Sequence, residues 1–290
     1  MGAGSYSKDV YASYSTSLGR SYDADTGRVS GQVFVASGMH RDLNPRLFEV
    51  RECVNTEEHP NTIPVILALD VTGSMGKGCT ETAESLGIIL GNLLDKIKDV
   101  EFCIMGIGDL AYDSAPIQMS QFESDIRIAE SLDKIYQEFG GGGNAYESYT
   151  AAWYMGLYRT KLDCFDKQGR KGIIITMGDE PLNPYLPKEG LNRALGTSMH
   201  TDVETKQLFE DASKKFDIFH IAVDHPSTGY RRYKERIENS FGQLLGPRYK
   251  VANLDQLSGV IEECILEASG SNTSEQLGTT TVNENGEIKW

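Results

Sequence analysis

Residues Ile63-Pro64-Val65-Ile66-Leu67-Ala68-Leu69 are apolar without a break, and the run ends in Asp70. A strand with one wet face alternates apolar and polar residues. An unbroken run of this length suits a strand covered on both faces, as parallel strands in an α/β sheet are. The run is followed by a Gly-rich turn and then by Leu86, Ile89, Leu90, Leu93, Leu94 and Ile97, whose spacing is one helical stripe.

The same alternation continues along the chain. Strands are expected over Val100 to Ile107, Ile117 to Phe122, Ile173 to Met177, Ile218 to Val223 and Tyr249 to Ala252. Between them the spacing predicts helices around residues 128–139, 147–158, 202–215 and 230–243, and a closing stripe from Leu254 to Ile265. Ile117 to Phe122 lies close enough to the preceding strand to be its hairpin partner. The expected fold is therefore α/β, a doubly wound, mostly parallel open sheet with an antiparallel edge hairpin. The expected organisation is a loop-rich N-terminal extension over residues 1–61, a domain over 62–268 and a flexible tail over 269–290. Residues 1 to about 30 show no persistent period, and 32–36 suit a short strand. The two ends lack a burial pattern, so they should be the most protease-sensitive parts.

The 42 Asp and Glu against 28 Lys and Arg give a net charge of −14, the wrong sign for a duplex-binding surface. The densest basic stretch, Tyr230-Arg231-Arg232-Tyr233-Lys234-Glu235-Arg236, reads as a solvated helix face. No apolar run reaches the roughly 18 to 20 residues of a membrane helix, so no membrane partner is expected. The first residues, MGAGSYSKDV, lack an apolar signal core, and Tyr6 breaks the myristoylation pattern. The five cysteines include no CxxC pair, which points to reduced, partly buried thiols and a cytoplasmic setting.

Ligands of a doubly wound sheet bind beyond the carboxyl ends of its strands. Three loops fall there. After the first run comes Asp70-Val71-Thr72-Gly73-Ser74-Met75-Gly76, in which Asp70, Thr72 and Ser74 alternate and so project the same way. One carboxylate and two hydroxyls suit a hard cation such as Mg²⁺ or Mn²⁺. The second loop is Gly141-Gly142-Gly143-Asn144-Ala145-Tyr146-Glu147-Ser148, and the third is Met177-Gly178-Asp179-Glu180-Pro181. Plainer readings exist for each. Thr72 or Ser74 would cap a helix, Asn144 would serve a left-handed turn, and Glu147 and Glu180 would face water. His220 and His225 suit core or surface roles.

The first loop resembles the DxSxS or DxTxS element of the metal-ion-dependent adhesion site of von Willebrand factor A domains, with Asp70, Thr72 and Ser74 in its three positions. The glycine run is similar to the GGGDxPE variant of many intracellular members, with Asn144 at its Asp. Asp179 matches the family's acid after the fourth strand. Ile107 to Asp113 loosely resembles the GYRDH-type turn of the same group, without its arginine. The resemblance covers residues 62–268. It implies a metal-binding, non-catalytic protein-binding module whose ligands are Asp70, Thr72, Ser74, Asn144 and Asp179. One metal position stays open for an acidic residue of a protein partner. It further implies an intracellular bacterial- or phage-type scaffold or adaptor, with an AAA+ ATPase as a candidate partner. Asn144 is expected nearest the metal and Glu147 one helical turn further on. If Glu147 or Glu180 reached the metal, the open position would be filled internally.

Two catalytic patterns fail on spacing. Gly73 to Thr80 has Gly78, not Ser or Thr, after Lys77, so it is no P-loop. No G-x-S-x-G elbow occurs. A metal-dependent phosphoester hydrolase at the same loops is the alternative, with Asp109 or Glu147 as its base. A structural protein with a vestigial metal is the third reading.

Overall fold

The computed structural model describes residues 6–23, 29–30, 34–138 and 146–270. Six strands form the central sheet: β1 (Ile63–Asp70), β2 (Val100–Ile107), β3 (Ile117–Met119), β4 (Gly172–Gly178), β5 (Phe216–Val223) and β6 (Tyr249–Ala252). Their order is β6-β5-β4-β1-β2-β3, and every pair is parallel except the antiparallel edge pair β2-β3. The doubly wound open α/β sheet expected from the run pattern is present, hairpin included.

Burial explains why β1 reads as a continuous apolar run. Val65, Leu67 and Leu69 pack into one core layer, and Ile66 and Ala68 pack into the other. The first layer is closed by α2 (Gly76–Lys96) through Leu86, Leu90 and Leu93, and by α8 (Leu254–Ser269) through Leu257, Ile261 and Ile265. A capping box between Asn253 and Gln256 starts α8. The opposite layer is closed largely by α4 (Thr150–Tyr158), with Trp153 and Met155, together with Phe216 of β5 and Phe241. Fully burying each such side chain contributes about 1.5 to 3 kcal/mol, so the alternation along β1 fixes both layers at once.

Further helices are α3 (Arg127–Asp133), α5 (Lys188–Leu195), α6 (Thr205–Ala212) and α7 (Tyr230–Ile237), with α1 (Lys8–Ser17) at the N-terminus and shorter helical turns at Asp163–Asp166, Glu238–Gly242 and Gln243–Leu245. The sequence shows no helical period at α1, and the reason is visible. Its buried positions are Tyr11 and Ser15, so there is no apolar stripe to read. The segment is nonetheless anchored. Ser7 caps the helix by accepting from the Val10 N–H, and Tyr6 is buried. A Cβ at Gly91 of α2 would stand 3.0 Å from the Tyr6 ring. Asp133 accepts from Arg20 at 2.6 Å and from the Tyr14 hydroxyl at 2.7 Å. Residues 6–23 are thus tied to α2 and α3 rather than loop-rich. The strand expected over 32–36 is not seen at 34–36, where no regular element forms, and 31–33 lie outside the described residues. Residues 271–290, the expected tail, also lie outside them. No described helix is long and apolar enough to cross a membrane.

From β1 the chain winds outward through β2 to β3, and from β4 it winds the other way through β5 to β6. The reversal lies between β1 and β4, which are paired in register with Leu69 opposite Met177. A crevice opens at such a switch point, outside the strand ends. Asp70 ends β1 there and Asp179 follows β4.

Candidate metal centre

Asp70 and Asp179 are both fully buried. Thr72 donates to Asp70 Oδ1 twice, through its hydroxyl at 2.6 Å and its N–H at 2.9 Å. The Thr72 and Ser74 hydroxyls lie 3.0 Å apart, and Ser74 Oγ donates to Asp179 Oδ1 at 3.1 Å. Four side chains from two strand ends thus form one continuous ladder of oxygens. Thr72 precedes the 3₁₀ turn Gly73–Met75 but makes no side-chain capping bond. The hydroxyls turn to the carboxylates, and the helix-cap reading of this loop falls. Asn144, the fifth expected ligand, lies outside the described residues.

Tyr149, at the start of α4, escaped the sequence reading. Its hydroxyl donates to Asp70 Oδ2 at 2.5 Å and accepts from the N–H groups of Asp179 and Glu180, each at 3.2 Å. One phenol therefore ties the end of β1 to the loop after β4. A Cβ at Gly178 would collide with this ring, which accounts for glycine before Asp179. A tyrosine on a helix stripe reads as core, and nothing in its spacing signals the contact. Tyr149→Phe should leave the fold intact but remove a charge-assisted bond and strand two buried N–H groups. Unfolding free energy should fall by about 2 to 4 kcal/mol, read as a shift in urea midpoint; an unchanged midpoint would show that the bridge carries nothing.

The glycines after Ser74 serve close packing. Gly76 has φ +50°, and a Cβ there would stand 3.0 Å from the Ser227 carbonyl oxygen. At Gly78 a Cβ would come within 2.7 Å of Thr228, and its N–H bonds Ser227 Oγ at 2.8 Å. His225 reaches Ser227 through Nδ1 at 2.8 Å and Glu81 through Nε2 at 3.1 Å, which fastens the loop after β5 onto α2. His220 is a core residue, stacked on Phe241 and bonded to Thr176 at 2.8 Å.

Glu147 and Glu180 do not face water. Both are buried, as are Asp109 and Asp113. Glu147 is held by a β-bridge to Leu182, and Glu180 by the Tyr149 bond to its N–H. Asp109 Oδ2, Glu147 Oε2 and Glu180 Oε2 have no hydrogen-bond partner among the described residues. Burial and the charge of Asp179 push the Asp70 carboxyl well above the usual carboxylate range, and burial raises that of Asp179. Burial, then Asp70 and Glu180, push Glu147 up to about 11. Burial, then Asp179, push Glu180 up to about 7. Such a cluster is costly without a compensating cation. Among the described residues no three His, Cys, Asp or Glu side chains converge as a ready metal cage. The set is instead two carboxylates joined by two hydroxyls, with orphaned carboxylate oxygens close by, and it fits a hard divalent cation. A cavity of about 720 Å³ between α1 and α3, lined by Tyr14, Leu18 and His40 among others, shares no residue with this centre.

No protein-family model matches the chain, and no curated protein sequence matches it. Solved structures do. The chain is similar to the pilus adhesin SpaC from Lactobacillus rhamnosus GG in its open conformation, at 12% identity and a TM-score of 0.47 over 74% of this chain and 31% of that one. It thus spans about a third of that adhesin's length. It is similar to the vWF domain of the type V pili tip protein Mfa5 from Porphyromonas gingivalis, at 11% identity and a TM-score of 0.44, over 72% of this chain and 96% of that one. It is also similar to BatB from Bacteroides thetaiotaomicron, at 15% identity and a TM-score of 0.45, over 72% and 99%. The α/β assignment rests on the strand order and directions given above.

Proposed function

We propose that this sheet edge holds Mg²⁺ or Mn²⁺ through Asp70, Thr72, Ser74 and Asp179, with Asn144 as a further ligand. A protein partner then binds by placing an acidic side chain on the cation. The observation that carries this reading is the hydroxyl ladder from Asp70 to Asp179, which brings the oxygens of two separate strand ends together. The two aspartates supply −2, the hydroxyls are neutral and burial favours protonated Glu147 and Glu180, so while those two stay protonated a bound divalent cation keeps its attraction for one more anion. Its role here is to supply that electrophilic point, while the chain's own residues hold and orient it. The resemblance of the loops to von Willebrand factor A domains favours a cytoplasmic bacterial- or phage-type scaffold or adaptor, with an AAA+ ATPase among the candidate partners.

The test is partner capture from the native host in Mg²⁺, in chelator, and with Thr72→Ala. Removing the cation leaves buried carboxylates facing the partner's acid. Losing one member of a buried charge pair commonly costs about 2 to 5 kcal/mol, so recovery should fall at least roughly thirty-fold in chelator, and Thr72→Ala, which removes a neutral ligand of the cation, should lower it in the same direction. Undiminished recovery would place the partner elsewhere on the molecule. Metal-dependent turnover of a generic phosphoester would favour the hydrolase reading instead.

A further inference from the structure

The basic stretch of α7 lies at the metal edge, although the chain carries a net −14. The helix starts at Gly229, whose N–H bonds Asp179 Oδ2. Two of its cations are already engaged: Arg231 with Asp224 at 3.0 Å, and Lys234 with Glu238 at 3.8 Å. Arg232 and Arg236 are exposed and have no carboxylate within ion-pair distance among the described residues. Aromatic rings hold them instead. Arg232 lies 5.2 Å over Tyr233, and Arg236 lies 5.2 Å over Tyr146 and 5.7 Å from Tyr233. The helix begins at the Asp179 contact and Arg236 meets Tyr146, the residue before Glu147, so both guanidiniums stand near the rim of the candidate centre.

We propose that Arg232 and Arg236 are a second anchor for the partner, which must then present an acidic segment rather than a lone acid. This rests on the metal-bridged reading above and names the chemistry of its partner. A stacked guanidinium keeps its donor edge free and loses little freedom on pairing with a carboxylate. Helical rise puts Arg232 and Arg236 roughly 5 and 10 Å along the axis from Gly229. An extended peptide advances roughly 3.3 Å per residue. These spans correspond to about one and a half and three residues of such a peptide, and side chains two and four residues on share the face of the acid that meets the cation. A long polyanion is disfavoured, because the strip is two arginines wide and borders a carboxylate-lined cleft.

The probes are two twelve-residue Gly-Ser peptides, one with a single Asp and one with Glu added two and four residues after it. In Mg²⁺ at low salt, fluorescence anisotropy should show the second binding about tenfold more tightly. The Arg232→Gln/Arg236→Gln protein should erase that gap yet keep Mg²⁺-dependent binding of the single-Asp peptide. Arg232→Lys/Arg236→Lys should restore part of the gap, which controls for misfolding of the glutamine variant. Equal affinities for the two peptides, or a gap that survives in the glutamine variant, would overturn the anchor while leaving the metal reading standing. Binding of both peptides that ignores Mg²⁺, or no binding of either, would sink the metal reading and the anchor with it. A ten-residue oligothymidylate that binds more tightly than the acidic peptide would assign the face to nucleic acid and also overturn the proposal.

Discussion

In chelator, raising the pH from 6.5 to 8 should lower the unfolding free energy by about 2 to 4 kcal/mol, and saturating Mg²⁺ should recover the larger part of it. Glu147, held up at about 11, and Glu180, at about 7, both ionise more easily in the unfolded chain. Glu123, half-buried beside Arg127 and away from the metal edge, is pushed up to about 7 as well, chiefly by burial. For an acid whose folded value is raised, the stabilising contribution is complete below its ordinary value of 4.5. It is lost as the pH climbs toward the folded value. His220 works the other way. Burial lowers it from 6.5 to about 3, so its contribution is lost only as the pH falls below 6.5. Between 6.5 and 8 it therefore opposes the carboxyl groups by no more than about 0.4 kcal/mol. A cation beside Asp70 and Asp179 offsets the charge that disfavours ionised Glu147 and Glu180, and a ligand at a hundred times its Kd adds about 2.7 kcal/mol. Glu123 is not served by that cation, so recovery stays incomplete. Urea midpoints at the two pH values, with and without Mg²⁺, measure this. A midpoint that holds or rises with pH in chelator, or a fall that Mg²⁺ leaves untouched, would separate the buried acids from metal binding.

Asp70→Ala and Asp179→Ala should each weaken Mg²⁺ binding by at least about a hundredfold, since even outer partners of a metal site are worth 10 to 100-fold. Their effects on the metal-free protein should differ. Asp70→Ala takes the acceptor from Tyr149 and from two donors of Thr72, a loss that carries the full cost of stranded buried groups. Asp179→Ala strands only the Ser74 hydroxyl and the Gly229 N–H, and each substitution also removes a charge that lifts a neighbour, Glu147 in the one case and Asp70 and Glu180 in the other. In chelator at pH 8, Asp179→Ala should therefore be the more stable of the two. Titration calorimetry, with circular dichroism to confirm the fold, reads both results. Unchanged Mg²⁺ affinity in either variant would show that the site is wrongly assigned.

The sequence by itself determined the sheet and the edge where chemistry gathers. An unbroken run such as Ile63 to Leu69 is stable only when both faces are covered, so it implies parallel strands, helices on both sides and loops at the carboxyl ends. Asp70, Thr72, Ser74 and Asp179 are legible because their oxygens sit at fixed short distances along the chain from such runs. What only the tertiary structure decided depends on which segment covers which. Tyr149 reads as a core residue until its hydroxyl is seen against Asp70 and the Asp179 and Glu180 N–H groups. Glu147 and Glu180 look like helix-start and loop acids facing water, but neighbouring backbone buries them. Helix α1 shows no stripe because tyrosines, a capping serine and the Arg20–Asp133 pair dock it. Arg232 and Arg236 lie on the solvated face expected of them, but its place beside the metal edge shows only when the Gly229 N–H is found on Asp179. Periodicity reports burial along one element. It carries no record of a partner brought close through space by the packing of another.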